Sequence, residues 1–249
     1  MCCFSREVES VSNTNIFARS ARQNRQYLVY SMAVVSKEDL AMILPIPTPS
    51  GAPDDAVRFI DLKGYADFFK DMRAGFPVPV PLARGARVDA APKVAEDKLV
   101  VVDVGDFEAS FVPSVRDFGR LDERFRLPDA TWDQLPAYRE YGFAVFKLKQ
   151  GAKTIHPMAF EFPRADARRL FFPTVHIHDG KVHAKAGFDH TLYCQVEPQE
   201  TRQVMRWRES PKPASQFMKV DKVKGIVVAD RHCYQQRIQG VQTNQDTWV

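Results

Sequence analysis

Two adjacent cysteines stand directly behind the initiator methionine, in MCCFSREVES, and they are the first residues of this chain with chemistry to offer. Cysteine at position 2 is small enough for Met1 to be trimmed, which would leave a free α-amine beside a thiol. That amine, with a pKa of about 8, can take the thiol proton, the arrangement of an N-terminal nucleophile. CCF, a polar turn around Ser12–Asn15 and then NIFARS would make a first hairpin. Arg19 would then face Cys2 as a substrate or electrostatic partner in an amidohydrolase. The same cysteines also suit metal ligation, lipidation, or the start of an edge strand in which one packs inward as a small apolar residue.

A second constellation is HIHDGKVH. With Asp179-Gly180 as a two-residue hairpin loop, His178 pairs with Lys181 and His176 lies opposite His183. Period-2 alternation then puts His176, His178 and His183 on one face, the donor set a zinc or iron ion needs. Lys181 shares that face and disfavours a cation. With Val175, Ile177 and Val182 turned inward, the same alternation also describes a half-solvated strand pair. A third group pairs DHTLYCQ with RHCYQQR. There His190 and Cys194 are four residues apart, roughly 13 Å along a strand, too far to share one ion without a bulge. Neighbouring strands could still bring a Cys/His pair together.

Other chemistries lack their signatures. There is no Gly-rich phosphate loop, no Walker motif, no G-x-S-x-G elbow, no C-x-x-C and no H-E-x-x-H. Residues 201 to 240 hold nine Lys or Arg against three Asp or Glu, interleaved with Trp207, Phe217 and Tyr234. Spread over loops and strand exteriors, such charges read as a solvated face, and a nucleic-acid partner is not expected.

The elements that must position these residues are mostly strands. RQYLVYSMAVVSKEDLAMILPIP reads as two strands joined in a hairpin at Ser36–Asp39. DLKGYADFFKDMRAG reads as a helix with Leu62, Tyr65, Phe68, Phe69 and Met72 on one face, Asp61 at its start and Gly75 at its end. Residues 76–97, rich in Pro, Ala and charge, read as a long surface loop. One or two strands in KLVVVDVGDFEASFVP precede two short helices. The first starts at Ser114, with Asp117 completing a capping box; the second lies within TWDQLPAYREYG. FAVFKLKQGAKTIHPMAFEFP reads as strand, turn and strand. DHTLYCQVEP and KGIVVADRHCYQQRIQG supply the last strands.

The stretches LVYSMAVVSKEDLAMILPIPTP, DFEASFVP, LPAYREYGFAVFKLKQGAKTIHPMAFEFP and LFFPTV, with the initial CCF, resemble a bacterial family of unknown function. The resemblance implies an α+β fold with several long hairpins and offers no catalytic residues to transfer. The first twenty residues also resemble the choloylglycine hydrolases, which have an N-terminal cysteine and an F-x-R-like second strand. Where those enzymes show Asn-Asp after the arginine, this chain has Ser20-Ala21.

The totals set the class. The chain has 249 residues, 45% of them hydrophobic and 27% charged, and a formal net charge of +4, values of a folded domain with a sizeable core. No apolar run reaches the roughly 20 residues of a membrane span, and no secretory leader is evident, so a cytoplasmic protein with reduced cysteines is expected. The expected architecture is one α+β domain over 1–249, strand-rich, with antiparallel sheets built from several hairpins and three short helices on the side. The expected function is non-enzymatic binding of a protein or small-molecule partner, with no cofactor and no membrane. The alternatives are the Cys2 nucleophile and the three-histidine metal site.

Overall fold

A computed structural model describes residues 2–77, 108–178 and 181–249. The strands up to the first helix are β1 (Cys2–Phe4), β2 (Ser10–Ala21), β3 (Arg25–Ser36), β4 (Leu40–Ile46) and β5 (Arg58–Ile60), followed by α1 (Phe68–Ala74). After β6 (Ala109–Val112) and α2 (Asp129–Asp133) come β7 (Gly142–Leu148), β8 (Gly151–Pro163), β9 (Phe171–Phe172) and β10 (His176–Ile177). The chain finishes with β11 (Lys185–Gln195), β12 (Arg208–Glu209), β13 (Tyr234–Thr243) and β14 (Thr247–Trp248). The strand-rich α+β class is as expected, but the sheets are mixed. β1 runs parallel to β10, and β2 runs parallel to β11. Among the described residues the α-helices are the two short ones, and the other helical stretches are 3₁₀ turns.

Two sheets face each other, with strand orders β10-β1-β4-β7-β6 and β12-β13-β11-β2-β3-β8-β5; β14 and β9 form a separate pair. Period-2 alternation explains how one strand serves two cores. On β4, Leu40, Met42, Leu44 and Ile46 enter the core between the sheets, while Ala41 and Ile43 face the outer layer. On β7, Ala144, Phe146 and Leu148 point inward, and Phe143 and Val145 outward. On β3 and β8, Leu28, Tyr30, Met32, Phe160 and Phe162 meet them from the opposite sheet. The outer face of the larger sheet is covered by Phe68, Phe69 and Met72 of α1, packed on Phe17, Val29 and Tyr193. That of the smaller sheet is covered by Phe118, Trp132, Leu135 and Tyr138.

This layering overturns most of the expected hairpins. β3 and β4 do not pair across Ser36–Asp39: β3 pairs with β2 and β8, and β4 with β1 and β7. β7 and β8 likewise separate into different sheets at 149–150. The polar links are crossovers between layers. A true hairpin joins β2 to β3, where Gln23 and Asn24 take positive φ of 55° and 56°, the twist a tight hairpin turn favours.

The helix expected across 61–75 is a 3₁₀ turn, residues 63–65, followed by α1. Asp61 Oδ1 accepts from the Lys63 amide at 2.7 Å. Gly75 ends α1, and a Cβ there would lie 2.6 Å from the Phe217 ring. Ser114 and Asp117 form no capping box; the Ser114 hydroxyl donates to the Asp117 carboxylate at 2.7 Å, and residues 115–120 are 3₁₀. Most of the 76–97 segment and the Asp179-Gly180 turn lie outside the described residues. No helix among the described residues is long and apolar enough to cross a membrane.

Candidate functional site

The chemistry-bearing residues gather at the junction of the two chain ends. β1 inserts between β4 and β10, so that Cys2 pairs with His176 and Cys3 with Ile177. Ser5 fastens the insertion. Its amide donates to the Ala41 carbonyl, and its hydroxyl donates to the Arg124 carbonyl while accepting from the Ala41 amide, each at 2.9 Å. Cys3 is fully buried in the outer cluster of the smaller sheet.

Arg19 is elsewhere. It sits on β2 in the larger sheet, so the expected β1–β2 hairpin does not form and Arg19 does not face Cys2. Its guanidinium donates to the Ile226 and Gly225 carbonyls, both at 2.6 Å, and lies over the Tyr27 ring. Burial lowers its pKa without removing its charge. Its observed role is to pin the turn at Lys224-Gly225, where both residues have positive φ.

The three-histidine face is also rearranged. His176 belongs to β10 beside β1, whereas the chain after residue 181 leads into β11 of the other sheet, so His176 and His183 are not cross-strand neighbours. The imidazole that meets His176 is His190, with Nε2 to Nε2 at 3.2 Å. His178 also lies beside His176, ring centres 4.8 Å apart, and packs on Phe4 at 5.6 Å. Phe188 edges onto both His176 and His190. Burial lowers the His176 pKa to about 3 and that of His190 to about 2, with neighbouring positive charge adding to the effect. Both rings are therefore neutral at pH 7. Among the described residues no group of three or more His, Cys, Asp or Glu is placed to hold a metal ion.

The C-terminal tail completes the junction. The Asn244 side chain brackets His176, accepting from its amide at 2.7 Å and donating to its carbonyl at 2.9 Å; it also donates to the His183 carbonyl. The Asp246 carboxylate accepts from the Thr174 and Val175 amides at 2.8 and 3.1 Å and from the Tyr138 hydroxyl at 2.6 Å. Burial raises its pKa, and the three donors pull it back down. Trp248 stacks edge-on against Phe171 and under Arg169.

The third group is assembled only in part. β11 and β13 are neighbours, as the Cys/His reading required, but Cys194 pairs with Tyr234 and His190 with Ile238. His232 Nδ1 lies 2.6 Å from the Ser210 carbonyl. Burial pushes the Cys233 thiol up to about 12 and that of Cys194 well above its ordinary value, so both are protonated and poor nucleophiles. The sequence reading missed Asn244, Asp246 and the His190 contact. For His190 a signal was present: it shares strand parity with Phe188, Leu192 and Cys194, and so falls on the inward face.

No protein-family model matches the chain. Among solved structures, the crystal structure of baculovirus P35 superposes with a TM-score of 0.52 at 11% identity, covering 97% of this chain and 96% of that one. A mutated baculovirus P35 after caspase cleavage gives 0.45 at 12% identity, over 95% and 99% of the two chains. A caspase-8/P35 complex gives 0.40 at 12% identity, over 95% of each. The first of these shows a shared overall fold.

Proposed function

We propose that this chain is a non-enzymatic binding protein that acts in the cytoplasm on a protein partner. One observation carries the reading: the candidate thiols Cys3, Cys194 and Cys233, with Arg19, His176 and His190, are engaged in the fold. Cys3, Cys194 and Cys233 are free thiols buried in the core. Arg19 holds a turn, His176 and His190 hold each other, and Asp246 is occupied by three donors. Demanding chemistry needs a nucleophile and a base converging on a cleft, and these groups converge on the interior. Reduced thiols also suit the cytoplasm.

The shared fold directs the choice of first partner. Baculovirus P35 has been captured with caspase-8 and after caspase cleavage, so a caspase is the partner class to test. The full chain is mixed with active caspase-8, then followed by size-exclusion chromatography and by hydrolysis of a fluorogenic peptide substrate. The proposal expects co-elution and loss of hydrolysis. Separate elution with undiminished hydrolysis rejects a caspase as the partner.

A further inference from the structure

His176 and His190 are 14 residues apart in sequence and belong to different sheets. Their rings meet inside the molecule, His176 at 9% and His190 at 1% exposure. Two Nε2 atoms 3.2 Å apart have room for one proton between them. One ring donates and the other accepts, so the contact exists only while at least one ring is neutral. His190 Nδ1 is buried and has no hydrogen-bond partner among the described residues. A positive charge on that ring would therefore find no compensating acceptor.

We infer that the His176–His190 contact is an acid-sensitive latch, closing the smaller sheet onto the larger one where β10 and the C-terminal tail meet β1.

The surroundings set the direction of the response. His178 opposes positive charge on both rings. From β11 the neighbour is Phe188, and from β13 the register partner is Ile238, neither of which titrates. Asp189 and Arg237, one residue along these strands, project to the opposite face by alternation. On β2, Asn15 and Ile16 pair with Thr191 and Leu192 and carry no charge. Asp246, on the tail, is turned to the Thr174 and Val175 amides and the Tyr138 hydroxyl. Its pKa is raised, so it favours the closed form on acidification, against the histidines.

The sign follows from linkage. The folded pKa values of both imidazoles lie below the ordinary value of 6.5. Closure is therefore fully supported above pH 6.5 and weakens as pH falls towards the folded values, because the open form takes up protons that the closed form refuses. Each imidazole adds about a factor of ten per pH unit to the opening constant, or about a hundredfold for the pair.

The test is hydrogen exchange on the full chain between pH 6.5 and 4.5, corrected for intrinsic rates and read at the amides of β10 and of residues 188–192. The wild type is compared with the His176→Phe/His190→Phe double variant, Asp246 being common to both. Opening that steepens towards a hundredfold per pH unit in the wild type and flattens in the variant supports the latch. Equal slopes, or no slope in the wild type, overturn it. Should the double variant not fold, a ¹⁵N-histidine NMR titration of the wild type decides. Both rings remaining neutral at pH 4.5 supports the latch, and either ring titrating near 6.5 overturns it.

Discussion

The space between the two sheets is closed in two different ways along its length. At its centre, Leu28 and Phe160 from one sheet meet Met42, Leu44 and Phe146 from the other in an apolar core whose side chains gain chiefly by leaving water. At the chain-end junction, His176, His190, Asn244 and Asp246 close the same structure through directed hydrogen bonds. Apolar closure tolerates pH and salt. Polar closure depends on each group's protonation state and on every partner being in place, because a buried group left unpaired costs more than its bond contributed. The centre is unconditional and the junction is conditional.

The largest expected effect strikes the centre. Phe160 is fully buried between the sheets, and Phe160→Ala should cost about 3–5 kcal/mol in urea unfolding, unchanged between pH 5 and 8. A pH-dependent loss would blur the contrast. Asp246→Ala comes next. It strips the acceptor from the Thr174 and Val175 amides and the Tyr138 hydroxyl, and should cost about 2–4 kcal/mol. Protection of the β9–β14 pairing should fall first in hydrogen exchange; a uniform loss across both sheets would deny the junction its separate character.

A third effect is smaller per step. Below pH 6.5 the wild type should lose stability at about 1.4 kcal/mol per pH unit for each buried imidazole, and His190→Phe should remove one such increment. Identical pH profiles from chemical denaturation would contradict this. The smallest effect is at the surface. Arg120 and Asp54 form a 2.5 Å ion pair in open solvent, and Asp54→Asn should leave the urea midpoint where it was.

The elements were legible in the sequence to a greater extent than their partners. β3, β4, β7, β8 and β11 all carry the apolar patterning of strands, and Gly75 marks the end of α1 where expected; β13 is mostly polar and exposed, and the apolar stretch expected to open that strand, GIVVA, forms turns instead. Pairing was not legible, because alternation fixes which side chains share a face and not which strand lies next to them. The links at 36–39 and 149–150 are short and polar, as hairpin turns are, yet each carries the chain from one sheet to the other. A hint lay in β4, LAMILPI, whose unbroken apolar run signals a strand covered on both faces, unlike the half-exposed partner of a simple hairpin.

The candidate site failed in the same way. Asp179-Gly180 suggested a hairpin that would align His176 with His183, and the topology sends the two flanking segments to different sheets. Arg19 was assigned to the chain start because β1 and β2 are adjacent in sequence. The insertion of β1 between β4 and β10 is a long-range event that no local pattern announces. Asn244 and Asp246 act through backbone groups 68 to 72 residues away, which leaves no local signature either.

The central claim is that the reactive side chains of this chain serve its fold and leave function to binding. Mass-spectrometric mapping of thiol alkylation, in native buffer and in denaturant, tests it most directly. The account predicts that Cys3, Cys194 and Cys233 stay unmodified in the native protein and are all modified once it unfolds. Rapid native alkylation at any of the three would contradict it and return thiol chemistry to the molecule.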